Sequence, residues 1–182
     1  MTRNLTGTEL KRLHRGWRRA TDSRLAMILD GIQGPFNVGA IIRTAATQRV
    51  ERLWYANGAT GPENPRVGKT AMGTDKYLQH SPVATAAEAL DEARASGFVV
   101  VGIELAEGAL PLPELDLSGD VCVAVGHEDR GLSADALAGC DRIGYIPQLG
   151  KVGSLNVATA AAIALYEVRR RALFPDAPVA RP

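Results

Sequence analysis

Three short stretches of this sequence combine glycine, amide and charged side chains at points where apolar segments end. Such residues can hold a polar ligand through backbone and side-chain groups, and they can steer a proton or a developing charge. Open α/β sheets bind ligands at the carboxyl ends of their strands, so the stretches are candidates for one site, although each alone is also ordinary turn chemistry. They are residues 37–45 (NVGAIIRTA), 125–133 (VGHEDRGLS) and 146–157 (IPQLGKVGSLNV).

Better-known nucleotide and metal motifs do not fit this chain. Gly68-Lys69-Thr70 resembles the end of a P-loop, but Glu63 occupies the position where that motif needs its first glycine. No Gly-x-Gly-x-x-Gly follows the first predicted strand, and His127 has no second histidine at helical spacing. We therefore expect no metal and no dinucleotide, and an ATP-hydrolysing enzyme that uses Lys69 is the least favoured rival.

Length and composition indicate one globular domain. The chain has 182 residues, of which 46% are hydrophobic and 23% are charged. No run approaches the roughly 18 apolar residues of a membrane span, and the first residues are charged where a signal peptide would be apolar. Cys122 and Cys140 have neither disulfide nor metal spacing. We expect a cytoplasmic protein, without a membrane partner, whose cysteines are ordinary buried residues.

The first 24 residues are strongly basic. They contain seven basic and two acidic residues, so their local charge is +5 in a chain whose net charge is +1. Such an asymmetry can form a phosphate-binding patch, although a solvated helix face is an equal alternative. The basic residues are Arg3, Lys11, Arg12, Arg15, Arg18, Arg19 and Arg24.

Helical and strand patterns alternate along the rest of the chain. Thr6 and Glu9 have capping-box spacing before a first helix. Short, almost continuous apolar runs then predict strands at 25–29, 53–55, 98–103, 121–125 and 143–146. Helices are predicted at 38–49, 84–96, after Ser133 and at 154–173, with loops at 57–69 and 109–120. This alternation predicts an α/β fold with a mostly parallel sheet and helices on both faces. We divide the chain into a basic helical arm (1–24), a catalytic domain (25–174) and a flexible tail (175–182).

The three stretches, in this order, resemble the three motifs of the SpoU (TrmH-like) branch of the SPOUT RNA methyltransferases. The similarity covers about residues 25–170, and its most distinctive part is Ser154-Leu-Asn-Val followed by an alanine-rich helix. The resemblance implies a C-terminal trefoil knot, which the periodicity of the sequence does not itself predict. It also implies a homodimer, for which Ile163 and Tyr166 on the last helix are candidate contacts, with a place in the core as the alternative.

The resemblance implies that S-adenosyl-L-methionine binds at the three loops. Carried over position by position, the cofactor-binding residues are Ile103, Glu104, Gly126, Ile146, Ser154, Leu155 and Asn156. Gly126 and Gly150 would let the backbone approach the ligand closely.

The resemblance also implies that Arg43 is the catalytic residue, with Asn37 and Glu128 shaping the site. Because a guanidinium stays protonated with a pKa above about 12, we expect Arg43 to grip a phosphate and to stabilise a developing alkoxide rather than act as a base. The alternatives are that Arg43 forms a surface ion pair and that Glu128 only caps nearby N–H groups.

The implied reaction is methylation of a ribose 2′-hydroxyl in RNA. Segment 68–78 and strand 100–104 look most like enzymes that methylate a D-loop guanosine of tRNA, and a separate N-terminal RNA-binding domain, common among ribosomal RNA enzymes, is not expected. Ribosomal RNA methylation and non-catalytic RNA binding on the same fold are the alternatives. The predicted substrate-binding residues are Arg12, Arg15, Arg19 and Lys69.

Overall fold

A computed structural model describes residues 2–175 of the chain. The predicted tail, 175–182, lies outside the described residues except for Pro175. Seven parallel strands form one sheet in the order β3-β2-β1-β6-β4-β7-β5. The strands are β1 (Leu25–Asp30), β2 (Arg52–Ala56), β3 (Gln79–Pro82), β4 (Val99–Ile103), β5 (Leu110–Pro111), β6 (Val121–Val125) and β7 (Arg142–Tyr145). The helices are α1 (Gly7–Arg18), α2 (Pro35–Thr47), α3 (Pro65–Ala71), α4 (Ala86–Ala95), α5 (Ala134–Gly139) and α6 (Val157–Leu173), with 3-10 turns at Asp75–Tyr77 and Leu112–Glu114.

The central strands are buried on both faces. In β1, Leu25, Met27 and Leu29 pack into a cluster that includes residues of α2, α3 and α6. Ala26 and Ile28 point the other way, into a second cluster with α4 and α5. This two-sided burial explains why the strands read as continuous apolar runs instead of alternating patterns. The predicted α/β architecture is confirmed, and every strand pair in the described sheet is parallel.

The predicted loop at 57–69 is wrong in its second half, because α3 begins at Pro65. The Asn64 side chain caps this helix by accepting from the amide of Arg66 at 3.0 Å, and proline is favourable at the first helical position. A methyl group on Gly39 of α2 would lie 2.6 Å from Cβ of Thr70 and 2.7 Å from the carbonyl oxygen of Val67. Glycine at position 39 therefore allows α2 and α3 to pack closely.

Two helix starts also differ from the prediction. α2 begins at Pro35 rather than at residue 38, with proline in its first turn. α6 begins at Val157 rather than at residue 154, because the Asn156 side chain caps it by accepting from Ala158 and Thr159. Ser154 and Leu155 consequently lie in the loop before the helix. The edge strands β3 and β5 were not predicted, since they are short and have no apolar run.

Helix α1 lies on the surface and buries none of its side chains. Its predicted capping box is confirmed: Thr6 accepts from the amide of Glu9, and the Glu9 carboxylate accepts from the amide of Thr6 at 2.8 Å. The Trp17 ring meets that of Phe174 edge to face at a centroid distance of 6.0 Å. The basic helix is thus attached to the end of α6, with its arginines open to solvent.

Cys122 is fully buried and Cys140 is half-buried, so burial is confirmed for the first cysteine and partial for the second. Burial raises the pKa of the Cys140 thiol to about 12. Within residues 2–175, no helix is both long and apolar enough to cross a membrane.

Candidate active site

The loops that follow β4, β6 and β7 line one cavity of about 480 Å³, here called the main cavity. Six of the seven predicted cofactor-binding residues lie on its wall, namely Ile103, Glu104, Gly126, Ile146, Ser154 and Leu155. Asn156 does not line it and instead caps α6. Because β4 lies between β6 and β7 in the sheet, parallel pairing brings the three loops to the same edge.

The fold leaves no space for a side chain at position 126. A methyl group at this position would collide with the backbone of Gly131 and Leu132. The loop after β6 folds back through two backbone hydrogen bonds between His127 and Gly131, each 2.9 Å long. The fold thus gives a second reason for glycine at position 126, because its own loop fills the space on the Cβ side, and the expected close approach of its backbone to a ligand stays a prediction. At Gly150, in contrast, a methyl group would have no neighbouring protein atom within 4 Å, so the fold itself does not require glycine there, and its expected role beside a ligand stays a prediction.

Glu104 connects the end of β4 to the same loop. Its Oε2 accepts from the amide of Leu132 at 2.9 Å, and its Oε1 accepts from the amide of Leu105 at 3.0 Å. A carboxylate can accept further hydrogen bonds beyond these two. Glu104 can therefore fix the wall of the main cavity and still offer acceptor positions to a ligand with hydroxyl groups.

Asn37, Glu128 and Asn156 form a hydrogen-bonded cluster, here called the polar triad. Nδ2 of Asn37 donates to Oε1 of Glu128 at 2.9 Å, and Nδ2 of Asn156 donates to Oδ1 of Asn37 at 2.9 Å. Glu128 also lines the main cavity, so the triad adjoins it. The three side chains come from the three stretches singled out in the sequence, which the fold brings together.

Glu128 accepts backbone hydrogen bonds at the start of α2, as the alternative interpretation expected. The amide of Gly34 donates to Oε1 at 2.9 Å, and the amide of Gln33 donates to Oε2 at 3.3 Å. Burial acts to raise the pKa of Glu128, but the hydrogen bonds from Asn37 and these amides outweigh it, so the pKa is lowered. Glu128 is therefore held as a carboxylate.

Arg43 lies on the exposed face of α2, beyond the polar triad. Its Nη1 is 2.9 Å from Sδ of Met72, and no carboxylate of the described residues lies within ion-pair distance of it. The alternative interpretation of Arg43 as a surface ion pair is therefore wrong. The guanidinium retains N–H groups that can bind an anion.

The predicted substrate-binding residues lie on two separate elements. Arg12 and Arg15 are exposed on α1, Arg19 is exposed directly after it, and Lys69 is exposed on α3. Lys69 is thus on a helix that packs against α2, not in a loop as expected. The sequence prediction did not name the other residues of the main cavity, which are Leu105, Val125, His127, Asp129, Arg130, Gly131, Tyr145, Gln148, Val157 and Ala160. Most of them directly adjoin predicted site residues, and this adjacency is the signal that could have found them.

A smaller cavity of about 330 Å³ adjoins the main one and shares His127, Arg130 and Gly131 with it. Asp30, at the end of β1, is buried on its wall. Its carboxylate accepts from Nδ2 of Asn57 at 2.6 Å and from the amide of Ser133 at 2.7 Å. Asp30 thereby connects the loops that follow β1, β2 and β6.

Known proteins resemble this chain over most of its length. Residues 24–166 match the SpoU rRNA Methylase family. The chain is 38% identical over 153 residues to the 23S rRNA (guanosine-2'-O-)-methyltransferase RlmB of Acinetobacter baylyi, covering 84% of the chain and 62% of the relative. It is 31% identical over 150 residues to the tRNA (guanosine(18)-2'-O)-methyltransferase of Escherichia coli, covering 81% of the chain and 63% of the relative.

Solved structures show the same fold. The SpoU methyltransferase AviRb from Streptomyces viridochromogenes, in complex with the cofactor AdoMet, matches with a TM-score of 0.74 and 30% identity. The match covers 82% of the chain and 60% of that structure. The chain therefore spans less than two thirds of the length of each of these three proteins.

Proposed function

The chain belongs to the SpoU rRNA methylase family, and we propose that it transfers a methyl group from S-adenosyl-L-methionine to a ribose 2′-hydroxyl of RNA. One observation carries the proposal: a ligand-sized cavity adjoins a triad of polar side chains through Glu128. The cavity can hold the cofactor, and the triad with Arg43 can position the ribose that accepts the methyl group. Named relatives are RNA 2′-O-methyltransferases, which supports the same assignment.

The residues of the main cavity fit the proposed cofactor. Its volume of about 480 Å³ lies within the usual range of small-molecule sites. Apolar Ile103, Ile146 and Leu155 can cover an adenine ring, and the carboxylate of Glu104 can accept from ribose hydroxyls. Ser154 adds a hydroxyl group at the same wall. When bound, the cofactor supplies an activated methyl group on a sulfonium centre.

The chain must then present a ribose hydroxyl to that methyl group. In the proposal, Arg43 grips the neighbouring phosphate and stabilises the negative charge that develops on the ribose oxygen. Asn37 and Glu128 keep the start of α2 at the cavity wall, so the hydroxyl is aligned by positioning rather than by a strong base. The hydroxyl proton is released to solvent water as the O–C bond forms, and the methyl–sulfur bond breaks with its electron pair retained on sulfur as a neutral thioether. Asn156 fixes the orientation of the Asn37 amide.

The proposed substrate is RNA, with tRNA as the first candidate and ribosomal RNA as the alternative. The exposed arginines of α1 and Lys69 support phosphate binding. A relative of each kind matches the chain at similar coverage, so the D-loop guanosine of tRNA stays a prediction.

The C-terminal trefoil knot, the homodimer and a cytoplasmic location belong to the same proposal. On α6, Ile163 is 38% exposed and Tyr166 is 60% exposed, and an apolar face of this kind supports contact with a second copy. An RNA-modifying role accords with the cytoplasm.

The test is methyl transfer from labelled S-adenosyl-L-methionine to unmodified tRNA and to ribosomal RNA, with mapping of the modified ribose. Label at one tRNA ribose supports the full proposal, and label in ribosomal RNA supports the chemistry but overturns the tRNA preference. Cofactor binding without label in either pool would favour the non-catalytic alternative. ATP hydrolysis that is lost in Lys69→Ala would instead support the nucleotide-hydrolysing rival.

A further inference from the structure

An exposed surface next to Arg43 combines apolar and cationic side chains, and it is called the α3 surface below. Met72 is 67% exposed and Tyr77 is 69% exposed, so both side chains are open to a ligand. The cationic members of the α3 surface are Arg43, Arg66, Lys69 and Lys76, all of which are exposed.

The turn that carries Tyr77 is held rigidly. The Thr74 hydroxyl donates to the carbonyl oxygen of Ala71 at 2.7 Å, and the amide of Tyr77 donates to the carbonyl oxygen of Thr74 at 3.1 Å. His80 lies 2.8 Å from the carbonyl oxygen of Asp75 through Nε2 and 2.7 Å from the Tyr55 hydroxyl through Nδ1. The Tyr77 ring therefore projects from a fixed base, so a ligand would not need to order this part of the backbone.

The cations of the α3 surface are available to an anionic partner. None of the four pairs with a carboxylate among residues 2–175, and the Lys76 ammonium lies 5.2 Å from the centre of the Tyr77 ring. Unpaired cations beside an exposed aromatic ring are typical of surfaces that bind single-stranded nucleic acid, where bases stack and phosphates are neutralised. A purely apolar protein partner would leave these charges uncompensated.

We propose that the Tyr77 ring stacks on an unpaired base of the RNA substrate, while Arg66, Lys69 and Lys76 hold its phosphates. This inference rests on the proposed function and deepens it, because it assigns the surface that receives the nucleotides beside the modified one. Met72 connects this surface to Arg43 through the 2.9 Å contact with its sulfur atom. An RNA strand bound at Tyr77 would consequently pass the guanidinium that is proposed to act on the ribose.

The test measures binding of a fluorescently labelled single-stranded oligoribonucleotide of about a dozen nucleotides, by anisotropy, at several salt concentrations. Tyr77→Ala should weaken binding by about 5- to 150-fold without changing the salt dependence, whereas Tyr77→Phe should bind like the wild type. Lys76→Ala should reduce the slope of log affinity against log salt by about 0.7. Leu110→Ala, which removes an exposed apolar side chain at the opposite edge of the sheet, is the matched control and should bind normally.

Equal binding by Tyr77→Ala and the wild type would overturn the proposal, as would a Tyr77→Phe variant as weak as Tyr77→Ala or a wild type that prefers a duplex of the same sequence. Methyl transfer by the wild type separates these outcomes from failure of the proposed function. If the wild type labels RNA but Tyr77→Ala is unaffected in both assays, only the α3 surface is wrongly assigned. If the wild type neither binds nor labels RNA, the proposed function itself fails, and this inference fails with it.

Discussion

Nδ2 of Asn156 lies 2.9 Å from Oδ1 of Asn37, so the residue that caps α6 also contacts the first turn of α2. Asn37 in turn donates to Glu128 at 2.9 Å. Both ends of the Asn37 amide are thus engaged, which fixes its orientation. Because the three side chains form one network, a change in any of them acts on the others.

Replacing Asn156 should separate its capping role from its role in the polar triad. Asn156→Ala removes both and should cost about 1 kcal/mol of stability from the lost cap, together with most methyl transfer. Asn156→Ser keeps a capping oxygen but has no amide to donate to Asn37, so it should be nearly as stable as the wild type and still poorly active. Urea unfolding and the transfer assay measure the two effects.

Thr85→Ala is the control for the Asn156 variants. Thr85 caps α4 by accepting from the amide of Glu88 at 3.2 Å and takes no part in the triad. Its loss should lower stability to a similar degree and leave transfer unchanged. Full activity of Asn156→Ser would show that the contact with Asn37 is dispensable.

Two glycines of the cavity loops should respond in opposite ways to substitution by alanine. Gly126→Ala places a methyl group against the backbone of Gly131 and Leu132, so it should cost about 1–3 kcal/mol and weaken binding of S-adenosyl-L-methionine. Gly150→Ala meets no neighbouring atom within 4 Å and should stay within about 0.5 kcal/mol of the wild type. Thermal unfolding and calorimetric titration of the cofactor measure both. Equal behaviour of the two variants would contradict the geometry described for Gly126.

Local patterns predicted the central fold but not its edges. Strands β1 and β6 are buried on both faces, and this burial leaves a continuous apolar run in the sequence. Strands β3 and β5 form by pairing with β2 and β7, and their own residues show no local strand pattern. Helix α3 was missed because its seven residues are too few to show helical periodicity.

The sequence motifs named side chains that the fold brings together, but they did not reveal the contacts between them. Six cavity residues carried over from the motifs lie on one wall. The hydrogen bond between Asn37 and Asn156, in contrast, joins residues 119 positions apart, and spacing cannot reveal such a pairing. The crowding above Gly126 likewise depends on how the loop returns at Gly131. These features follow from tertiary packing, which the sequence specifies only through the whole fold.

Stability should fall below about pH 4.5 partly through Glu128. Its pKa is lowered in the folded chain, so its contribution is fully present above the unfolded pKa, near 4.5, and is lost as the pH falls through the folded value. Glu128→Gln should be less stable than the wild type by at most about 1 kcal/mol near neutral pH, because glutamine keeps one accepting oxygen and the site is partly open to solvent, and the difference should shrink below the unfolded pKa. Urea unfolding of both proteins at several pH values measures this. A difference that is independent of pH would show that the Glu128 charge does not stabilise the start of α2.

The arginines of α1 should contribute to RNA affinity without contributing to folding. Because α1 buries no side chain, replacing Arg12, Arg15 and Arg19 together with alanine should leave the unfolding midpoint nearly unchanged. The slope of log affinity against log salt should fall by about 0.7–0.9 for each RNA phosphate that the variant no longer neutralises. Arg94→Ala, on α4 at the opposite face of the sheet from α6 and already paired with Asp141, is the control and should keep the wild-type slope. An unchanged slope in the triple variant would support the interpretation of α1 as a solvated helix face.

Arg43→Ala should remove most methyl transfer and leave cofactor binding nearly intact. The side chain is exposed and does not line the main cavity, so its loss should not alter the cavity or the stability of the fold. Removing a group that stabilises transition-state charge should lower the rate by about 10²- to 10³-fold. Arg43→Lys keeps the charge but loses the planar fork, so it should recover only part of the rate. Thr47→Ala lies one turn further along the same exposed face of α2 and should retain full activity, which separates a role of Arg43 from a general effect of the helix surface. Undiminished transfer by Arg43→Ala would require another residue to stabilise the ribose oxygen.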